Sequence, residues 1–254
     1  MKLQRIMNFV ATIATIAINT LAVTLPIAGR DTGAISDAYP TRFTPAGYVF
    51  SIWSVIYTGL IAFSIYQLLP SQRDNKLVDR MGWWYVISCV CNMVWIFLWH
   101  YLQFPLTMVV MLGILGSLIM VYLSLRVGRE DVSFKDKLFV QIPFSIYLGW
   151  ITVATIANAS VLLYSAGWRG GPIGESLWVT ILLVIAVVIG ALMALRHRDV
   201  AYLGVLVWAF IGIAVKQSAY ASVQISAIAA AIAIAILILV AMFRSKPIMR
   251  QRLA

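Results

Sequence analysis

Long runs of apolar residues, separated by short polar segments, follow one another along the whole chain. A helix that spans a membrane needs about 20 mostly apolar residues at 1.5 Å of rise each. The runs are continuous and do not alternate between apolar and polar residues, which argues against membrane β-strands. The pattern predicts eight membrane-spanning helices, at 6–27, 48–69, 83–102, 105–126, 139–163, 176–195, 200–216 and 219–243.

The composition assigns the same class. Of the 254 residues, 62% are hydrophobic and only 11% are charged, whereas about a quarter of the residues of a soluble domain are charged. A water-soluble fold of this size has too little interior to bury so much apolar surface. The sequence therefore predicts an all-α integral membrane protein, and excludes soluble enzymes, nucleic-acid-binding proteins and secreted scaffolds.

Lysine and arginine are concentrated in alternate loops. If the N-terminus is cytoplasmic, four basic residues lie outside: Arg30, Arg42, Arg169 and Lys216. The other fifteen lie inside: Lys2, Arg5, Arg73, Lys76, Arg80, Arg126, Arg129, Lys135, Lys137, Arg196, Arg198, Arg244, Lys246, Arg250 and Arg252. The positive-inside rule then predicts eight spans with both termini in the cytoplasm. We expect the protein to lie in the cell membrane. The net charge of +10 indicates orientation and contact with membrane lipids, and not nucleic acid.

Residues suited to coupling or catalysis are scarce inside the spans. All nine acidic residues fall in loops or at span ends, so no carboxylate is available at mid-membrane to bind a coupling ion. Cys89 and Cys91 point to different helix faces, and no cluster with metal-ligand spacing occurs, so we expect no metal site. Lys216 is the one base placed where a retinal Schiff base could form, but no acid within the membrane could serve as its counter-ion. The sequence therefore favours a lysine whose side chain reaches the outer interface. We leave enzymatic activity open, with binding preferred.

The polar amides of Asn19, Asn92 and Asn158 lie within predicted spans one, three and five. An amide in hydrocarbon is costly unless it is paired, so we expect each one to face the helix bundle. Each amide either links neighbouring helices or contributes to a binding site, and the sequence leaves both possibilities open.

Aromatic residues form stripes on three of the predicted spans. The stripes are Phe50, Trp53 and Tyr57 on span two, Asn92, Trp95 and Trp99 on span three, and Tyr147, Trp150, Ala154 and Asn158 on span five. Spacings of three, four, seven and eleven residues keep each set on one helix face. The predicted orientation places the stripes of spans two and three in the outer half, and the stripe of span five runs from the inner half through Trp150 at mid-depth to Asn158 in the outer half. We expect a shared aromatic-lined cavity, with an interfacial aromatic belt or ordinary packing as the alternatives.

The first outer loop is unusually long for a connection between adjacent helices. It runs from residue 29 to residue 47 and reads GRDTGAISDAYPTRFTPAG. Pro40 and Pro45 stiffen it, and Tyr39 and Phe43 are placed to point down into the bundle. We predict a lid over the cavity, with an ordered turn on the helix ends as the alternative.

Three spaced motifs resemble the TspO/MBR family, the tryptophan-rich sensory proteins related to the translocator protein, or peripheral benzodiazepine receptor. The first motif runs from Tyr39 through Pro45 to the VFSIW segment ending at Trp53, followed by Tyr57. The second is Asn92-x-x-Trp95, and the third is Pro143 followed by Tyr147-Leu148-Gly149-Trp150, Ala154 and Asn158. In this chain Phe43 replaces the family's loop tryptophan, Ala46 replaces the second residue of its proline pair, and three extra residues follow Pro143.

The resemblance implies a five-helix bundle with a ligand pocket under the first loop. It also implies a receptor or sensor for a planar hydrophobic ligand, such as a tetrapyrrole like protoporphyrin IX, a haem-like tetrapyrrole or a sterol, and no permanent cofactor. The alternatives are a transporter for tetrapyrroles or other apolar molecules and a light-dependent porphyrin-degrading enzyme. The predicted ligand-binding residues are Phe43, Phe50, Trp53, Tyr57, Asn92, Trp95, Trp99, Tyr147, Trp150, Ala154 and Asn158. Arg42 in the loop either pairs with a propionate at the cavity mouth or is an ordinary solvated loop residue.

The resemblance ends near residue 163, before the last three spans. We therefore predict a TspO/MBR-like domain at 1–166 and a three-helix extension at 175–245, separated by a glycine-rich link. The extension has alanine-rich stretches suited to close helix packing. The extension either shields one side of the bundle, replaces the homodimer contact common in the family, or forms a separate module. A homodimer formed by the whole chain is a further alternative.

Overall fold

The computed structural model describes residues 3–25 and 27–243, and eight long helices dominate this part of the chain. They are α1 (Leu3–Thr24), α2 (Gly47–Tyr66), α3 (Trp84–His100), α4 (Phe104–Ser124), α5 (Phe134–Ser165), α6 (Gly174–His197), α7 (Val200–Lys216) and α8 (Ala221–Phe243). Six are long and apolar enough to cross a membrane. Each of the other two, α3 and α7, has 17 residues, or about 25 Å against a hydrocarbon core of about 30 Å. The all-helical membrane class is confirmed, and the count of eight passes stays a prediction.

Helix α5 begins five residues before the predicted start of its span. A short helix, Phe134–Asp136, is capped by Ser133, whose Oγ accepts a hydrogen bond from the backbone N–H of Asp136 at 3.0 Å. A π turn at Lys137–Gln141 then leads into the regular part of the helix. Pro143 lacks an N–H and crowds the preceding turn, and a wider turn just before it relieves that crowding. The predicted span began later because the first turn contains charged residues and is not part of the apolar run.

Helix α5 lies in the middle of the bundle and is the most buried of the long helices. It packs against α2 and α4 on one side and against α7 on the other. Gly149 allows the close approach of α5 and α7, because a Cβ atom there would lie 3.1 Å from the backbone oxygen of Tyr202. Helix α1 completes the bundle by packing against α2 and α3.

The last three helices form a tight group that joins the rest of the bundle mainly through α7. Helix α8 packs against both α6 and α7, and its residues Ala227, Ala230 and Ala231 are buried in those contacts. Small side chains let helix backbones come close together, so van der Waals contact can hold the group in lipid. The division into domains at 1–166 and 175–245 stays a prediction, and residues 244 and 245 lie outside the described residues.

Polar contacts join loops that the sequence predicts on the same side of the membrane. On the inner side, Arg80 Nη1 lies 2.8 Å from Glu130 Oε2, and Tyr66 Oη donates to Asp136 Oδ1 at 3.1 Å. On the outer side, Lys216 Nζ lies 2.7 Å from Asp37 Oδ1. The orientation itself stays a prediction. Five of the basic residues counted for it lie outside the described residues: Lys2, Arg244, Lys246, Arg250 and Arg252.

Candidate functional site: an aromatic cavity beneath the first outer loop

A short helix, Thr32–Ala38, gives the first outer loop its ordered shape. Asp31 caps this helix by accepting a hydrogen bond from the backbone N–H of Ala34 at 2.8 Å, as an aspartate before a helix commonly does. Ile35 is fully buried in an apolar cluster with Trp99 and Phe104. One hydrophobic side chain thus fixes the loop helix on the outer ends of α3 and α4.

Beneath this loop lies a cavity of about 520 Å³. Its walls come from α1, α2, α3, α4 and α5. Seven loop residues also line it, and we call them the roof: Asp31, Thr32, Gly33, Ser36, Asp37, Thr44 and Pro45. Nine of the eleven predicted ligand-binding residues line the walls: Phe50, Trp53, Tyr57, Asn92, Trp95, Trp99, Trp150, Ala154 and Asn158.

Helices α2 and α5 supply one aromatic wall. The Trp53 ring stacks on Tyr57 with centroids 5.4 Å apart, and meets the Trp150 ring edge to face at 6.3 Å. Phe50 also meets Trp150 edge to face, at 5.8 Å. Trp150 is 3% exposed, and its Nε1 has no hydrogen-bond partner within 3–25 and 27–243. An unpaired buried donor beside a cavity is a position that a ligand acceptor can satisfy.

Helix α3 supplies the second aromatic wall. Trp95 and Trp99, one helical turn apart, stack with centroids 5.2 Å apart. Each indole is fixed by its nitrogen: Trp95 Nε1 donates to Asn158 Oδ1 at 2.9 Å, and Trp99 Nε1 donates to the backbone oxygen of Thr32 at 3.3 Å. These bonds hold the two rings at a set angle, so the wall is preorganised for a flat ligand.

The amides predicted to face the bundle, those of Asn19, Asn92 and Asn158, link helices and also face the cavity. Asn19 Nδ2 donates to Asn92 Oδ1 at 2.8 Å, and Asn92 Nδ2 donates to Tyr147 Oη at 3.3 Å. Asn158 Nδ2 donates to Thr107 Oγ1 at 3.2 Å. The two roles that the sequence left open therefore occur together, since all three amides also line the cavity.

Two of the predicted binding residues lie outside the cavity walls. Phe43 is fully buried in the main apolar core. Tyr147 lies nearly one turn inward of Trp150 on α5, with its ring 6.0 Å from that of Trp53. Phe43 fills space between the helices, and Tyr147 supports Trp53 and Asn92 from beneath. Whether either residue influences a ligand stays a prediction.

Arg42 does not line the cavity, and neither alternative for it, pairing with a ligand or plain solvation, describes its contacts. Its Nε lies 3.2 Å from Glu175 Oε2, its Nη1 donates to Ser176 Oγ, and its guanidinium lies 3.8 Å from the centre of the Tyr220 ring. A carboxylate on α6 and an aromatic face thus hold the cation outside the cavity. No pattern in the sequence indicates that Glu175 is close to this loop.

Helix α7 and the residue after it hold the roof in place. The backbone N–H of Ala46 donates to the backbone oxygen of Gly212 at 3.0 Å, and Gln217 Nε2 donates to the backbone oxygens of Thr41 and Thr44 at 3.4 and 3.3 Å. Gly212 is required at this contact because a Cβ would clash with the side chain of Val49. Two of the extra C-terminal helices, α6 and α7, therefore anchor the loop above the cavity.

A stripe of buried polar residues along α1 was missed from the sequence, apart from Asn19. Its other members are Arg5, Asn8, Thr12 and Thr15. Their spacing of three or four residues keeps them on one helix face, and this spacing was the signal that could have found them. The imidazoles of His100 and His197 are also buried, and each has a backbone carbonyl within hydrogen-bond distance of Nδ1.

These features define a helical membrane protein with a preorganised aromatic cavity in one half of its bundle. The chain belongs to the TSPO-like protein family, whose model matches residues 5–242, so the predicted family is confirmed. The match includes α6 to α8, which the motif resemblance did not reach. Family membership makes the protein a membrane sensor or binding protein in general. No curated protein and no solved structure matches the chain.

Proposed function

We propose that this protein is a membrane receptor or sensor that binds a flat, apolar small molecule in the cavity under the first outer loop. The observation that carries the proposal is the convergence of six aromatic residues from three helices on one cavity of about 520 Å³. That volume lies within the range of about 300–1,000 Å³ usual for small-molecule sites. A tetrapyrrole and a sterol are both ligands of the predicted kind.

The arrangement of the rings favours a planar guest. Stacked and edge-to-face ring contacts are most favourable at centroid separations of about 4.5–7 Å. The two walls already use such contacts among their own residues, and their remaining surface is available to a ligand. Burial of apolar ligand surface adds about 25 cal/mol for each Å² removed from water.

Polar groups in the walls are few, as in most small-molecule sites. Asn92 and Asn158 offer amide atoms, and Trp150 Nε1 is an unpaired donor. A ligand with one or two hydrogen-bond acceptors would be oriented by these groups while its rings lie against the aromatic walls.

Transport is the alternative that the packing favours less. Inward of the cavity, the hydroxyl of Thr12 lies 2.7 Å from Ser64 Oγ and 2.6 Å from Tyr85 Oη, and all three side chains are almost completely buried. A ligand crossing the membrane would have to break this contact between α1, α2 and α3. Degradation of a bound porphyrin under light is the other alternative, because excited indoles next to a macrocycle are photochemically active groups.

A neutral planar macrocycle tests binding. We expect protoporphyrin dimethyl ester to quench the tryptophan emission of the protein in nanodiscs saturably, because it would lie within a few ångströms of the indoles in the walls. Trp95→Ala and Trp150→Ala should weaken this binding. Trp178→Ala is the matched control, since Trp178 packs against Trp168 and does not line the cavity.

Unchanged affinity in both wall variants would refute the proposal. Flux of the porphyrin into proteoliposomes would replace it with transport, and loss of the porphyrin absorption spectrum only under illumination would replace it with photochemical degradation. Cross-linking in native membranes would examine the possible homodimer, and fractionation of the membranes would examine the cell-membrane location.

A further inference from the structure

The charged side chains in the cavity lining are all negative. Its charged residues are two roof carboxylates, Asp31 and Asp37, and no lysine, arginine or histidine of the described residues lines it. We infer that the cavity selects a flat apolar ligand that carries a positive charge over one that carries carboxylates. This inference rests on the proposed function, because it specifies the ligand class of the same site.

The two aspartates lie at opposite ends of the loop helix. Asp31 precedes the helix, and one of its oxygens is used in the cap to Ala34. Asp37, in the last turn, is 70% exposed and pairs with Lys216 Nζ at 2.7 Å. Lys216, which does not line the cavity, offsets the negative charge of Asp37. Asp31 has no basic partner among the described ion pairs, so the roof keeps a negative charge above the aromatic walls.

The aromatic walls act in the same direction as the roof. The face of an indole or phenol ring carries partial negative charge and attracts cations, with tryptophan the most effective. Six aromatic residues line the cavity, and four of them are tryptophans: Trp53, Trp95, Trp99 and Trp150. Such rings, with a carboxylate nearby, are the groups that proteins use to hold organic cations.

Basic groups near the loop are held outside the cavity. Arg42 is bound to Glu175 and Ser176, and Lys216 is bound to Asp37. Arg30, next to Asp31, is exposed and does not line the cavity. A dianionic tetrapyrrole would therefore bring its propionates toward carboxylates and ring faces with no cation to pair them, which costs desolvation energy that nothing in the walls offsets.

Three planar probes that differ mainly in charge test the inference: 9-aminoacridine, a cation at neutral pH, anthracene, which is neutral, and anthracene-9-carboxylate, an anion. Binding is measured by saturable quenching of tryptophan emission in nanodiscs of phosphatidylcholine, whose zwitterionic surface favours neither charged probe. We expect the cation to bind at least about tenfold more tightly than the anion, with the neutral probe between them.

Charge-removing variants identify the source of the preference. Asp31→Asn keeps a residue able to cap the loop helix, and together with Asp37→Asn it should reduce the preference to about threefold or less, the remainder coming from the rings. Glu130→Gln removes one negative charge at the opposite end of the bundle, where Glu130 pairs with Arg80, and should leave the preference unchanged.

The outcomes separate the two proposals. Equal binding of cation and anion, or a preference that stays at its full size in the Asp31→Asn/Asp37→Asn protein, overturns the charge inference while leaving the binding function intact. If none of the three probes, including neutral anthracene, binds saturably, the proposed function fails and the inference fails with it.

Discussion

The half of the bundle that is predicted to face the cytoplasm, the inner half, is filled and hydrogen-bonded, whereas the opposite, outer half encloses a cavity, although the same helices α1, α2 and α3 build both. On the inner side, Arg5 is 3% exposed and donates to the backbone oxygen of Gln67 at 3.0 Å and to Asp79 Oδ1 at 3.1 Å. On the outer side, the same helices separate around about 520 Å³. The comparison shows that a membrane bundle can keep one end open when polar contacts hold the other end together.

The largest effect is expected from Arg5→Ala. The substitution removes the donor to buried carbonyl groups and one cationic partner of Asp79, and breaking a buried ion pair from one side costs about 3–5 kcal/mol. Thermal unfolding in detergent, followed by circular dichroism, measures the loss. Arg80→Ala is the control: its pair with Glu130 is more than a third exposed, so solvent screening keeps the expected loss below about 1 kcal/mol. Equal losses in the two variants would contradict the contrast between the halves.

Thr12→Val probes the inner half without removing a charge. Thr12 Oγ1 donates to the backbone oxygen of Asn8 at 2.8 Å and accepts from the hydroxyls of Ser64 and Tyr85. Valine leaves those two hydroxyls unpaired, at a cost of about 1–3 kcal/mol in stability. Thr58→Val is the matched control, because Thr58 is exposed and bonds only its own helix. Affinity for a cavity probe should not change in either protein.

Ala154→Phe tests the outer half by filling the cavity. The new ring would occupy space that a ligand needs, so we expect about a tenfold or greater loss of probe affinity, or about 1.4 kcal/mol. Stability should change little, because the ring enters an existing void and displaces no packed side chain. Ala17→Phe, at an exposed position on α1 that does not line the cavity, should leave affinity intact. A variant Ala154→Phe that binds normally would place the ligand elsewhere.

Lys216→Ala should have the smallest effect on stability. Its pair with Asp37 is largely exposed, so its loss should lower the free energy of unfolding by less than about 1 kcal/mol. The local effect should be clearer: backbone amides of Thr32–Ala38 should exchange hydrogen faster, since one tether of the roof is gone. Unchanged exchange there, measured by mass spectrometry, would show that Gln217 and Ile35 hold the roof without Lys216.

The sequence was sufficient to predict the helices and most of the cavity walls. A helix repeats every 3.6 residues, so Phe50, Trp53 and Tyr57 had to share a face, and the predicted orientation placed that face at the depth of Trp95 and Trp99. The spacing of Arg5, Asn8, Thr12 and Thr15 carried equal information about α1. Such a polar stripe lies among apolar residues and was not distinguished from the rest of the apolar run.

The contacts that complete the site join distant parts of the chain and could not be predicted from local sequence patterns. Arg42 and Glu175 are 133 residues apart, and Asp37 and Lys216 are 179 apart. Nothing in either segment indicates the other. Only the packing of the last helices against α5 shows that α6 and α7 anchor the roof and that Arg42 lies outside the cavity. The position of Phe43 in the core was decided in the same way.

The sequence alone therefore determined the membrane class, the helices and the faces on which the aromatic residues lie, because apolar run length and helical period are local properties. The tertiary structure decided which faces meet, that a cavity stays open between them, and which charges border it. These depend on side-chain volumes and ion pairs that combine distant parts of the chain, and no local pattern specifies them.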